Sequence, residues 1–98
     1  MDDKKIRQVL KTYRAYFQTY KIAKRECDHA HKVLGPGPFW LSPDRRLEHC
    51  HTMLDQMEQF LKDGRRDKVF RWLGFLQGVL WSTGCYTLDE LKNHNRPD

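Results

Sequence analysis

The chain has 98 residues, of which 32% are charged and 12% aromatic, and its net charge is +5. This length suits one domain and excludes most multi-step enzymes. The aromatic content is too high for a disordered chain.

No apolar run approaches the ~20 residues that cross a bilayer, and the first residues lack the apolar stretch of a signal peptide. Three widely spaced cysteines indicate a reducing compartment. We therefore expect a cytoplasmic protein that does not enter a membrane.

The charge is unevenly distributed along the chain. Net charge is +5 over residues 1–34, −2 over 35–64, +3 over 65–84 and −1 over 85–98. Two basic segments therefore flank an acidic one. This arrangement favours an anionic partner.

Residues 3–34 are predicted to form one long helix. Ile6, Tyr13, Tyr20, Cys27 and Leu34 recur every seven residues, which is the period of a helical apolar stripe. The following Gly-Pro-Gly-Pro segment, 35–38, must end this helix because proline cannot continue it.

Three further helices follow, over about 43–62, 66–83 and 88–94. Ser42 and Pro43 have the residue types of an N-cap and a first helical position. Gly64 and Gly84 are predicted to end the second and third helices, and Thr87 begins a capping box that precedes the fourth. The predicted fold class is all-α: an antiparallel bundle of three main helices plus a short C-terminal helix, forming one domain over 1–98.

The helix lengths predict an uncovered surface. If the first two helices are antiparallel, the second ends near Arg14, and the apolar residues before that point overhang. They are Ile6, Val9, Leu10 and Tyr13. Either the fourth helix or a second copy must cover them, and we expect a homo-oligomer. The third helix is apolar nearly all round, so it is either central or buried in that oligomer. Gly74 and Gly78 are predicted to permit close approach of another helix.

The strongest candidate site lies at the start of the third helix, where four cations crowd together: Arg65, Arg66, Lys68 and Arg71. Cations at a helix N-terminus oppose the helix dipole, and the free N–H groups there suit an anion. We therefore predict an anion site at which Trp72 or Tyr16 stacks on the ligand. The alternative is a surface turn that pairs with Glu58 and Asp63 of the second helix.

Cysteine and histidine residues suggest a second possibility, a zinc site. Its ligands would be Cys27, His31, Cys50 and either His49 or His51. No CxxC or HxxxH spacing accompanies them, and the alternative is two buried cysteines beside surface histidines. No nucleophile–base pair is recognisable either. We predict no metal, no cofactor and no catalytic residue, and hence a protein that is not an enzyme.

The C-terminal half carries a resemblance. The sequences RWLGFLQGVLW (71–81), YTLDELK (86–92) and NHNRP (93–97) resemble a family of small tailed-bacteriophage proteins with no assigned activity, over about residues 47–98. The resemblance implies a phage origin, an accessory role and the host bacterial cytoplasm. The Arg-Trp start and Gln-Gly pair are also similar to helical anti-CBASS sponges, phage oligomers that sequester nucleotide signals.

Together these features predict a phage accessory protein with an anti-defence role that captures an anionic ligand without catalysis. The ligand would be a host nucleotide signal or nucleic acid. The alternative is a protein–protein inhibitor that docks on a host factor through aromatic and apolar surface. A third class is a small zinc-dependent module.

Overall fold

The computed structural model describes residues 1–27 and 41–97 and contains four helices. They are α1 (Asp3–Thr19), α2 (Pro43–Lys62), α3 (Arg66–Ser82) and α4 (Leu88–Asn95). The predicted all-α class is confirmed. The bounds predicted for the last three helices agree with these to within one residue.

The local signals that start the later helices act as predicted. The Ser42 hydroxyl accepts a hydrogen bond from the Arg45 N–H at 3.3 Å, and Pro43 occupies the first turn of α2. At α4 the Thr87 hydroxyl accepts from the Glu90 N–H, while the Glu90 carboxylate accepts from the Thr87 N–H. These bonds satisfy N–H groups that have no partner within the helix.

Glycine sets both tight turns of the bundle. Gly64, between α2 and α3, has φ +76°, and Gly84, between α3 and α4, has φ +79°. Glycine adopts this left-handed conformation without the steric cost that a Cβ imposes. The two predicted helix ends are therefore confirmed.

The prediction of a helix over 3–34 is wrong, because α1 ends at Thr19. Lys21 adopts φ +56° and the Ile22 N–H donates to the Phe17 carbonyl, which closes the helix end. Residues 22–27, which we call the strap, are not helical and run antiparallel to α2. Tyr20 and Ala23, the next positions of the predicted stripe, are exposed in the observed conformation. The remainder of the predicted helix, 28–34, and the Gly-Pro segment lie outside the described residues.

Backbone and side-chain hydrogen bonds fix the strap to α2. The Ile22 carbonyl accepts from His51 Nδ1 at 2.7 Å. The Cys27 N–H donates to His49 Nδ1 at 3.1 Å. The Lys24 ammonium pairs with Asp55 at 2.8 Å. The strap thus covers the first half of α2, and α1 covers the second half.

The predicted overhang is also wrong. The shorter α1 lies against the second half of α2 and contacts α4. Its apolar residues Ile6, Val9, Leu10 and Tyr13 are at most 3% exposed within one chain. The overhang therefore no longer supports the predicted homo-oligomer, which stays a prediction.

Helix α3 is not central to the bundle. It buries one side, formed by Val69, Leu73, Leu76, Gln77 and Leu80. Phe70, Phe75 and Trp81 on other sides are 38%, 57% and 52% exposed. The interpretation of α3 as the central helix is therefore wrong. Its burial in an oligomer stays a prediction.

Gly74 and Gly78 lie on the outer side of α3. A Cβ added at either position would meet nothing within 4 Å among the described atoms. The prediction that they permit a close helix approach is therefore wrong within the described chain.

We predict that Gly78→Ala stabilises the protein by about 0.5–1 kcal/mol, because alanine has the higher helix propensity and finds open space. Gly64→Ala is the control. It should destabilise, since the backbone there is left-handed. Urea unfolding measures both. A loss of stability in Gly78→Ala would show that something packs against this part of α3.

A polar network joins three helices inside the core. Gln77 of α3 is 8% exposed and donates to the Tyr13 hydroxyl of α1 at 2.9 Å. Gln77 and Asn95 of α4 exchange two amide hydrogen bonds of 2.7 and 3.0 Å. Since the Tyr13 oxygen accepts from Gln77, its own proton is free to reach His94 Nδ1 at 2.9 Å. Burial raises the pKa of Tyr13 to about 12, so this donor stays protonated.

We predict that Gln77→Leu lowers the free energy of unfolding by about 1–3 kcal/mol, because it removes the three hydrogen bonds that the amide makes with Tyr13 and Asn95. Gln8→Leu makes the same change at an exposed position of α1 and should cost less than about 0.5 kcal/mol. Equal effects in urea unfolding would show that the network does not stabilise the fold.

Acid should weaken the same network. Burial lowers the pKa of His94 below the usual 6.5, with Lys5 adding to the effect and Glu90 opposing it. The unfolded chain therefore binds this proton at higher pH than the native state does. The contribution of neutral His94 to the free energy of unfolding should be fully present above about pH 6.5. It should be lost as the pH falls from there through the lower pKa of the native state. The measurement is urea unfolding at pH 7.5 and 5.5, and His94→Gln should show a smaller drop. An identical drop in both proteins would contradict the assignment.

Candidate anion site

The turn between α2 and α3 and the first turns of α3 gather the basic residues. Gly64 reverses the chain, and α3 begins after Arg65, which provides no side-chain cap. The first N–H groups of α3 therefore lack a capping acceptor among the described side chains. A shallow depression of about 300 Å³ lies here, lined by Gly64, Arg65, Arg66, Asp67, Lys68 and Arg71. We call it the basic turn.

Arg66 is engaged within the chain. Its guanidinium pairs with Asp3, donates to the Met1 carbonyl at 2.7 Å and lies 5.4 Å from the centre of the Phe70 ring. It ties the start of α3 to the start of α1. Arg66 therefore has a structural role and is the least available of the predicted ligand residues.

Arg65 and Lys68 rest on aromatic rings. The Arg65 guanidinium lies 5.2 Å from the centre of the Phe60 ring. The Lys68 ammonium lies 4.4 Å from the same ring and 5.5 Å from that of Trp72. Cation–π attraction orients both groups, and their N–H donors are not taken up by hydrogen bonds to a carboxylate.

Arg71 is exposed and makes no hydrogen bond or ion pair within residues 1–27 and 41–97. Neither Arg65 nor Lys68 has a carboxylate partner in that part of the chain. Asp67 shares the depression and offsets part of the charge without pairing with a described cation. Three cations thus remain with free hydrogen-bond donors around an uncapped helix start.

The alternative pairing with the acidic side of α2 is wrong. Glu58 accepts from Arg14 at 2.7 Å, and Asp63 accepts from Gln59 at 3.0 Å. Arg14 also pairs with Asp55 at 2.7 Å. The acidic side chains predicted to neutralise the basic turn are therefore occupied elsewhere.

Of the two predicted stacking residues, Trp72 is beside the basic turn and Tyr16 is not. Trp72 is half-buried and packs edge-on against Phe60, with ring centres 4.9 Å apart. Tyr16 packs against Tyr20 and Tyr86, near the other end of α3. The 17 residues of α3 correspond to ~25 Å at 1.5 Å per residue. Tyr16 is therefore excluded from a small ligand bound at the basic turn.

A second depression adjoins Trp72 and was not foreseen from the sequence. It has a volume of about 270 Å³ and is lined by Glu26, His49, Thr52, Met53, Gln56, Trp72 and Phe75. We call it the side groove. The strap, α2 and α3 each contribute to it, so no spacing within one segment signals it.

No zinc site forms among the described residues. No group of three or more His, Cys, Asp or Glu side chains there could hold a metal ion. The Cys27 thiol donates to the Arg45 carbonyl at 3.6 Å. Cys50 is fully buried, which raises the pKa of its thiol to about 12 and disfavours the thiolate that binds metals. His31, the other predicted ligand, lies outside the described residues.

Comparison with protein-family models, with curated proteins and with solved structures found no match to this chain. The resemblance to the phage family therefore stays a prediction. Within residues 1–27 and 41–97, no helix combines the length and apolar character that a bilayer crossing requires.

Proposed function

We propose that this chain binds an anionic ligand at the basic turn without performing catalysis. The observation that carries the proposal is a group of three cations, Arg65, Lys68 and Arg71, without a carboxylate partner in the described chain. They surround helix N–H groups that lack a side-chain cap. Phosphate suits such a position because it accepts several hydrogen bonds and its charge complements the helix dipole.

The biological setting of the proposal follows the sequence resemblance. In that setting the chain is a phage accessory protein, acting against defence in the host cytoplasm. The anionic ligand is a host nucleotide signal or nucleic acid. We retain a homo-oligomer in the proposal.

The proposed binding makes a direct prediction for a triple variant, Arg65→Ala with Lys68→Ala and Arg71→Ala. It should bind AMP, ATP and a 12-base-pair DNA duplex at least tenfold more weakly than the unmodified protein, because the charge-assisted hydrogen bonds are lost. Binding by the unmodified protein should weaken as salt rises from 50 to 300 mM. Isothermal titration and thermal shift report both effects.

The matched control removes three exposed cations elsewhere, in Lys4→Ala with Lys11→Ala and Lys92→Ala. It lowers the net charge equally and should keep most of the binding. A similar loss in both triple variants would mean that net charge alone attracts the ligand. Absence of binding by every probe in low salt would overturn the proposal.

The second candidate function, inhibition of a host protein, is favoured by one specific observation. Phe75 and Trp81 of α3 are more than half exposed, and Gly78 between them leaves the helix surface open. Exposed aromatic groups of this kind are enriched at protein–protein contacts. Capture of a host protein that Phe75→Ala and Trp81→Ala abolish, with no binding of anionic probes, would favour this function.

A further inference from the structure

We propose that the side groove takes the base of a nucleotide whose phosphate is bound by Lys68 and Arg71. The inference rests on the proposed function and extends it from an anion to a defined class of ligand, the free nucleotides. The basic turn and the side groove are contiguous, since Lys68 lies over the ring of Trp72 and that ring lines the groove.

The spacing along α3 places a cation beside each aromatic wall of the groove. Lys68 precedes Trp72 by four residues, and Arg71 precedes Phe75 by four. Residues four apart are neighbours on a helix surface. Both cations lie nearer the helix start than their aromatic partners. A ligand with a planar group in the groove and an anionic group toward the helix start would meet both.

The aromatic walls differ in how they are held. Trp72 is anchored by its edge-on contact with Phe60. Phe75 is 57% exposed, and its ring stacks on no aromatic ring or cation of the described chain. It therefore offers a free face to a planar ligand. Stacking of bases on aromatic side chains is a general mode of nucleotide recognition.

The groove lining also includes polar side chains. Gln56 of α2 is exposed and presents an amide, with one acceptor and two donor hydrogens, beside the apolar Met53. A glutamine amide matches the donor and acceptor pair on the edge of adenine. This complementarity favours an adenine nucleotide over a sugar phosphate.

The size of the groove supports a base rather than a larger ligand. Its volume of about 270 Å³ lies just below the ~300–1,000 Å³ of pockets that enclose drug-sized molecules. The ribose and phosphate would then lie outside the groove, on the side of Lys68 and Arg71. This division predicts that base and phosphate binding can be separated by mutation.

The test compares AMP with ribose 5-phosphate in isothermal titrations at 50 mM salt. We expect AMP to bind at least five-fold more tightly, since stacking on an aromatic ring contributes a factor of roughly 5 to 150. Phe75→Ala should remove that advantage and leave the binding of ribose 5-phosphate unchanged. Gln56→Leu should weaken the binding of AMP and leave that of ribose 5-phosphate unchanged. Lys68→Ala with Arg71→Ala should weaken both AMP and ribose 5-phosphate.

The matched control is Trp81→Ala, which removes another exposed aromatic ring of α3 that lies outside the lining of both the side groove and the basic turn. It should leave AMP binding intact. Circular dichroism of all variants checks the fold, and the exposure of Phe75 makes retention of the fold the expected result.

The outcomes separate the two proposals. Equal affinity for AMP and ribose 5-phosphate, or full AMP binding by Phe75→Ala, would overturn the base site and leave the anion site standing. Binding of duplex DNA without binding of AMP would also overturn the base site and leave the anion site standing, because the bases of a duplex cannot enter the groove. Absence of binding by AMP, ribose 5-phosphate and duplex DNA would overturn both proposals.

Discussion

The side-chain amide of Gln77 is the constraint on which the arrangement of the helices depends. It is a buried polar group in an otherwise apolar side of α3, and it is satisfied only when Tyr13 of α1 and Asn95 of α4 are both in reach. An unsatisfied buried amide is costly, so these bonds select one rotation of α3. Successive residues of a helix are 100° apart. With Gln77 inward, Phe75 must point outward and Arg71 must lie away from the core, which is where the proposed ligand requires them.

The strap has a comparable role on the other side of the molecule. By leaving the helical conformation after Thr19, the chain places Glu26 and Cys27 beside the first half of α2. Buried His51 holds the Ile22 carbonyl and so fixes the point at which the strap meets α2. The side groove exists because the strap forms one of its walls. A continuous first helix would not have positioned Glu26 in this way.

The sequence predicts the parts of this fold that local chemistry determines. The caps at Ser42 and Thr87 and the glycine turns depend on neighbouring residues, and their positions agree with the structure. The end of α1 could not be predicted, because the heptad stripe continues past Phe17 and the competing bonds come from distant residues of α2. In the sequence, Gln77 is visible only as a polar residue within an apolar run, and nothing there indicates its partners. The basic turn is visible as a run of cations, whereas the side groove requires three separate segments and has no sequence signal.

The basic turn also shows how like charges can be held together at an unfavourable position. A carboxylate beside each cation would stabilise the turn, but it would neutralise the charge and occupy the N–H donors that an anion needs. Phe60 and Trp72 attract Arg65 and Lys68 through the faces of their rings, a contribution of about 0.5–1 kcal/mol each at exposed sites. This attraction orders the cations while their charges stay uncompensated and their donors stay free. An aromatic surface beneath the cations therefore preserves the capacity to bind an anion, which an ion pair would remove.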